Sequence, residues 1–350
     1  MSHPYMGLPD FQFWRRAVSA VEPHALDPVV APRFRIAPSD RLATAGSCFA
    51  QHISRRLSAI GFNYFVPEAG EDLDAAERQR RGFGMFSARF GNIYTVRQLL
   101  QLFQEATGAR SVSEEPWLRE DGRYIDPLRP NIEPDGFAHP EMVVEARQAH
   151  IAQVRLMFLE ADVFVFTLGL TEGWQNLASG EVFPLAPGVA GGSYDPSRHG
   201  PVNFNVAQVT EDLNAFLQAL KAVNPGVKVL LTVSPVPLIA TFEPRHVLVS
   251  TTYSKSVLRV AAETAIQTFD WVDYFPSYEI ITGGFNFGRY YEEDLREINR
   301  AGVSHAMRCF LQNYAEGYAE RQVAPQAFTP APRPSAEVVC DEESIEKVSF

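Results

Sequence analysis

The sequence predicts an α/β fold built on a mostly parallel sheet. Three observations lead there: apolar runs alternate with amphipathic helical patterns, each run ends at Gly, Ser, or Pro, and the two central runs are apolar almost throughout. Continuous apolar strands need helices over both faces, and the strand-then-helix order repeats along the chain, as in doubly wound folds.

Four strands are predicted. Residues 41–45 run into Gly46, 162–168 into Gly169, 228–233 into Ser234 and Pro235, and 271–275 into Pro276. Between them lie the helices. After Gly46, the apolar residues Phe49, Ile53, Leu57 and Ile60 recur at spacings of four, four and three, which places a helix directly behind the first strand with Gly61 as its C-cap. Further helices are predicted over 96–103, 144–160, 206–223, 254–269 and 300–320. The stretch 107–140 mixes Pro, Gly and charges without a period and reads as an insertion or lid-like loop. One domain is expected over 1–325. From 326 to 350, three prolines and five acids against two basic residues suit a disordered acidic tail.

Composition narrows the partners. The 42 acids against 31 Lys and Arg give a formal net charge of −11, and no basic stripe offsets it locally, so nucleic acid is excluded as an expected partner. No run approaches the roughly 20 apolar residues of a bilayer span, and the first residues carry neither a basic nor an apolar signal region. A cytoplasmic protein is expected. Three widely spaced cysteines, Cys48, Cys309 and Cys340, offer no disulfide framework and no metal-ligand pairing. No cofactor is expected, because no Gly-x-Gly-x-x-Gly or phosphate-cradling loop follows a strand. Oligomeric state is left open.

In open parallel sheets, ligands bind at the carboxyl ends of the strands. Three such ends carry unusual residues. At the first, Gly46, Ser47 and Cys48 lead straight into a helix, where unpaired backbone N–H groups and the helix dipole favour a thiolate and can hold an oxyanion. The same residues also suit a small buried thiol with Ser47 as a simple N-cap. At the second, Gly169 and Gly173 bracket Thr171 and Glu172 just ahead of Trp174, as either a functional loop or an ordinary turn. The third is the long connection 234–246, whose His246 is a candidate general base by its near-neutral intrinsic pKa, or a plain surface histidine.

These blocks resemble the GSCFA family. The signature Gly-Ser-Cys-Phe-Ala stands at 46–50, and Gly91-Asn92-Ile93-Tyr94, Arg97-Gln98-Leu99-Leu100, Gly169-Leu170-Thr171-Glu172, Ser234-Pro235-Val236, Ser254-Lys255 and Tyr274-Phe275-Pro276-Ser277-Tyr278-Glu279 follow in the family's order. The resemblance covers roughly residues 9–320. It extends to the SGNH (GDSL-like) esterase superfamily, and so implies a flavodoxin-like three-layer α/β/α sandwich with its nucleophile after the first strand. Carried over by position, the resemblance implies Cys48 as nucleophile with Ser47 beside it. It implies oxyanion or substrate contacts from Gly46, Gly91, Asn92, Gly169 and Thr171, with a hydroxyl at Thr171 where the superfamily has an asparagine.

The last block departs from the superfamily. Its Asp-x-x-His falls on Asp294-Leu295-Arg296-Glu297, so the aspartate is present and Glu297 replaces the histidine. The remaining candidates for the base are His246, then His52 on the helix after Cys48, then His305, which reads as a solvated residue off the apolar face of the last helix. The alternative is no histidine base. A thiol needs a partner less than a serine does, so the two changes are chemically compatible. The resulting expectation is an ester hydrolase or O-acyltransferase acting on a small-molecule or glycan acyl ester. Its rival is a catalytically degenerate binding module of the same fold, which would recognise its ligand through Trp174, Tyr94 and the 107–140 loop.

Overall fold

The structure is a computed structural model that describes residues 3–47 and 50–318. Cys48, Phe49, Cys340 and the acidic tail expected over 326–350 lie outside the described residues. In chain order the elements are β1 (Leu42–Gly46), α1 (Ala50–Ala59), α2 (Ala75–Arg80), α3 (Val96–Ala106), β2 (Trp117–Leu118), β3 (Tyr124–Ile125), α4 (Pro140–Glu160), β4 (Val163–Leu168) and β5 (Glu172–Asn176). They continue with β6 (Val182–Phe183), β7 (His199–Asn203), α5 (Val206–Val223), β8 (Lys228–Val233), α6 (Val247–Thr268), β9 (Val272–Tyr274), α7 (Ser277–Thr282) and α8 (Arg300–Tyr314).

The central sheet has the order β1-β4-β8-β9, all parallel, and its four strands are those read from the apolar runs. Its alternating side chains separate two cores. Phe164, Phe166, Val229 and Leu231 face a core shared with α3, α4, α5 and α6, whereas Val163, Val165 and Leu230 face one shared with α1, α7 and α8. Period-two alternation in strands buried on both sides thus produces the three-layer α/β/α sandwich. On the free edge of β1, Tyr64 makes a single parallel bridge to Leu42, with the Leu42 N–H donating to Asn63 O and Phe65 N–H donating to Leu42 O. That bridge occupies the place of strand two in the flavodoxin-like order 2-1-3-4-5.

Local signals set the helix ends. Thr95 with Gln98 and Asn205 with Gln208 form capping boxes that start α3 and α5. At the end of α1, Phe62 N–H donates to Leu57 O and Gly61 N–H to Ser58 O, the two bonds of a Schellman motif, with Gly61 at φ +81° as read from the sequence. Helix α6 begins at Val247, well ahead of the expected 254, and α8 ends at Tyr314 instead of 320.

Two pieces were not anticipated. The strands β6-β5-β7 form an antiparallel sheet where the sequence suggested a Gly-rich loop. Pro201 sits in β7, an edge strand, where its missing N–H costs no ladder bond. Within 107–140, β2 and β3 pair as a hairpin that packs Trp117 edge-on against Phe183 of β6, with ring centroids 5.1 Å apart. The buried Glu114 side chain accepts from Trp117 Nε1, Asn176 Nδ2 and His199 Nε2, tying the insertion to β5 and β7. The segment is therefore a packed extension of the small sheet.

Candidate functional site

The carboxyl ends of β1 and β4 are held together by backbone. Gly46 has φ +130°, and a Cβ there would lie 2.3 Å from the Thr167 carbonyl oxygen, so the position admits glycine only. This close approach carries the chain sharply off the strand: Ser47 N–H donates to Thr167 O, and α1 begins at Ala50. A third segment crosses the two ends. Ile93 N–H donates to Gly46 O, and Tyr94 O accepts from both Gly169 N–H and Leu170 N–H. A Cβ on Gly169 would lie 2.9 Å from Tyr94 O and 3.2 Å from Ser47 Cβ, so this glycine too lets three chain segments converge.

Gly46, Ser47, Ile93, Tyr94, Gly169 and Leu170 are thereby brought together at the carboxyl edge of the sheet, with Gly91 and Asn92 preceding and Thr171 and Glu172 following in the chain. Ser47 is buried, and its hydroxyl has no hydrogen-bond partner among the described residues. Gly91 has φ +72°, and the neighbouring Asn92 is buried beside a cavity of about 40 Å³ that also meets Arg129, Arg147 and His150. There Glu68 accepts from His150 Nδ1 at 2.7 Å. Burial and the nearby Arg129 push His150 down to about 4, so it is a neutral donor in a structural network.

Thr171 has a different role from the one implied by position. It is fully buried, its hydroxyl donates to Asn203 Oδ1 at 2.8 Å, and its N–H donates to Ser254 Oγ at 3.0 Å. A threonine hydroxyl has one proton, and this one is directed at Asn203, so donation to an oxyanion would require this bond to break. Its work is to fix the loop after β4.

Beyond this loop opens a cleft of about 440 Å³, within the roughly 300–1,000 Å³ usual for small-molecule sites. Leu170, Leu238 and Phe183 give it apolar walls, and Trp174, Phe242 and Tyr94 give it aromatic ones. Glu172 lines it too, accepting from the Thr241 hydroxyl at 2.8 Å and from Phe242 N–H at 3.3 Å. Glu243 completes the lining and accepts from Asn203 Nδ2. Among the described residues none of the 107–140 segment lines the cleft, and its hairpin is held against the small sheet by bonds that include those of Glu114.

The candidate bases are placed elsewhere. His246 is exposed and caps α6, its Nδ1 accepting the Leu248 N–H, and it does not line the cleft. Asp294 is exposed in the loop before α8, where its carboxylate accepts the N–H groups of Arg296 and Glu297 in a turn. His52 is half-buried on α1, and burial together with Arg55 lowers it to about 4. His305 corrects the sequence reading: it is buried, not solvated. Its Nε2 lies 2.6 Å from the Leu26 carbonyl and must carry the proton, which leaves Nδ1 to accept from Tyr290 OH at 2.6 Å. Burial lowers its pKa, and its partners are structural.

The residue that site reasoning missed is Lys255. It is almost wholly buried in α6, and its Nζ donates to the Gly169 carbonyl at 2.7 Å, while its neighbour Ser254 accepts from Thr171. The sequence did carry a signal: Lys255 shares one face of α6 with Leu258, Ala262 and Ala265, at spacings of three, four and three.

Among the described residues no group of three or more His, Cys, Asp or Glu converges as a metal site, and no helix is long and apolar enough to cross a membrane. No curated protein matches the sequence. Among solved structures, the chain is similar to one described as a GDSL-like lipase from Parabacteroides merdae, with 14% identity and a TM-score of 0.28. The alignment covers 49% of this chain and 66% of that one, just under two thirds of its length. The family model of the GSCFA family matches residues 41–310, well over half of the chain. With the signature at 46–50 lying where β1 turns into α1, the protein belongs to the GSCFA family.

Proposed function

We propose that this protein is an SGNH-like acyl-transfer enzyme, an ester hydrolase or O-acyltransferase, whose nucleophile stands at the end of β1. The observation that supports this most is Gly46: its contact with Thr167 turns the chain into α1 at the carboxyl edge of the sheet, next to the cleft. Cys48 falls two residues before the first residue of α1, where helix N–H groups favour a thiolate. Ser47 is the second candidate. Among the described residues its hydroxyl has no base within hydrogen-bond reach, and a serine depends on one far more than a thiol does. Main-chain N–H groups of Cys48 and Gly91 are the proposed oxyanion donors, and a small-molecule or glycan acyl ester is the proposed substrate.

The test is covalent trapping of the full chain by a reporter acyl ester or an electrophile at neutral pH, with Cys48→Ala alongside. Turnover, and the labelling mapped to residue 48, should vanish in the variant. Cys309 does not compete, because burial pushes its thiol up to about 12. Equal labelling and turnover in both proteins reject the role of Cys48.

A second reading is a binding module that keeps the cleft without the chemistry. Two observations favour it: no histidine lines the cleft, and Asp294 is turned to solvent. Thermal stabilisation by an ester ligand without turnover, unchanged in Cys48→Ser, is its expected signature.

A further inference from the structure

We propose that the cleft beside β5 selects the cationic end of its ligand, an ammonium or substituted amine. The cleft holds two carboxylates, Glu172 and Glu243; among the described residues Glu172 is held by the Thr241 hydroxyl and the Phe242 N–H and Glu243 by the Asn203 amide, all uncharged donors. No Lys, Arg or His lines it. Arg245, the nearest cation in sequence, donates to Ser250 Oγ and lies over the Tyr253 ring, 4.9 Å from its centroid. Ser250 in turn meets Thr241, the residue that donates to Glu172, so Arg245 stands three hydrogen bonds away from the carboxylate.

The carboxylates are preorganised. Thr241 donates to Glu172 and accepts from the Glu243 N–H, and Asn203 donates to Glu243. One network therefore fixes both acids from neighbouring elements without neutralising either. An anionic ligand would meet uncompensated like charge here, whereas a cation would supply the missing countercharge.

The aromatic wall points the same way. Trp174 and Phe242 line the cleft with centroids 4.9 Å apart and planes at 74°, which makes a corner instead of a flat stack. Tyr194 buttresses the indole edge-on, its centroid 5.4 Å away. Ring quadrupoles at a corner attract an organic cation from two sides, and apolar walls accommodate its alkyl substituents. Carboxylates and rings together favour an alkylated ammonium over a bare metal ion, because the rings offer no oxygen ligands.

The site as a cation binder stands on this geometry alone; that its occupant is the substrate rests on the acyl-transfer reading. The experiment is titration calorimetry of the full chain with choline and with its neutral carbon isostere 3,3-dimethylbutan-1-ol. Choline should bind about tenfold more tightly, and the difference should shrink in high salt. Glu172→Gln and Glu243→Gln should each reduce the preference several-fold with the isostere unaffected. Equal binding of the two ligands by the unaltered protein overturns the proposal without recourse to any variant. So does a cation preference that survives in the Glu172→Gln/Glu243→Gln protein. Esterase turnover with no cation preference would remove this inference and leave the acyl-transfer reading intact; cation binding with an unreactive Cys48 would do the reverse.

Discussion

The Lys255 ammonium donates to the main-chain oxygen of Gly169 at 2.7 Å, deep beneath the loop that joins the parallel sheet to the cleft. A buried carbonyl needs a partner, and a buried ammonium needs one more, so the contact ties α6 to the end of β4. With Ser254 accepting from Thr171 one residue earlier, two consecutive side chains of one helix hold both ends of the Gly169–Thr171 loop. Lys255 is thus a positioning residue for the loop that carries Glu172 into the cleft.

Lys255→Met keeps the aliphatic length and removes the donor. It should lower unfolding stability by about 1–3 kcal/mol in urea titration, the usual cost of an unsatisfied buried polar group. Ligand affinity in the cleft should fall with it. Unchanged stability would show that the Gly169 carbonyl does not depend on this bond.

Gly46→Ala tests the convergence of β1 and β4. The added methyl would sit 2.3 Å from Thr167 O at φ +130°, so both sterics and backbone oppose it. A loss of about 3 kcal/mol or more, or insoluble protein, is expected from chemical denaturation and expression yield. Gly61→Ala, at φ +81° with open space around its Cβ, should cost only about 1 kcal/mol.

The Glu114 carboxylate is one of the ties between the 107–140 extension and the small sheet, beside the Ser113 bonds to Glu181. Glu114→Ala leaves Trp117, Asn176 and His199 without their shared acceptor and should cost about 2–4 kcal/mol. Hydrogen exchange should accelerate in 111–128 and in 172–203 while the central sheet stays protected. Uniform acceleration across the chain would refute this local role.

Acid should destabilise the protein before its carboxylates titrate. His150 falls from 6.5 to about 4 through burial and Arg129, and His52 falls to about 4 through burial and Arg55. The unfolded chain therefore binds protons that the folded chain refuses. Stability is held above about pH 6.5 and is lost as pH drops from there to about 4, by up to about 3 kcal/mol for His150. Denaturation at stepped pH should show this slope, and His150→Gln should flatten it.

The sequence by itself determined the layered architecture. Runs such as 162–168 and 228–233 bury every other residue toward opposite cores, and such a pattern has few packings open to it. The capping glycine at 61 and the turn glycine at 46 were legible for the same reason, because their backbone conformations admit little else. The start of α6 was hidden, since Val247, Val249, Thr251 and Thr252 are poor helix formers and only the His246 cap and tertiary packing carry the helix back to 247. The β6-β5-β7 sheet was hidden too, because strands holding Gly173, Gly200 and Pro201 have no period of their own and exist by pairing with one another.

Only the tertiary structure decided the site. It spent the Thr171 proton on Asn203, buried His305 against Leu26 and Tyr290, left His246 as a solvent-facing cap, and brought Glu172 and Trp174 of β5 together with Glu243 of the distant 234–246 connection around one cleft. The physical reason is range: burial periodicity is written into neighbouring residues, whereas a hydrogen bond between positions 171 and 203, or 169 and 255, exists only once the chain has folded back on itself.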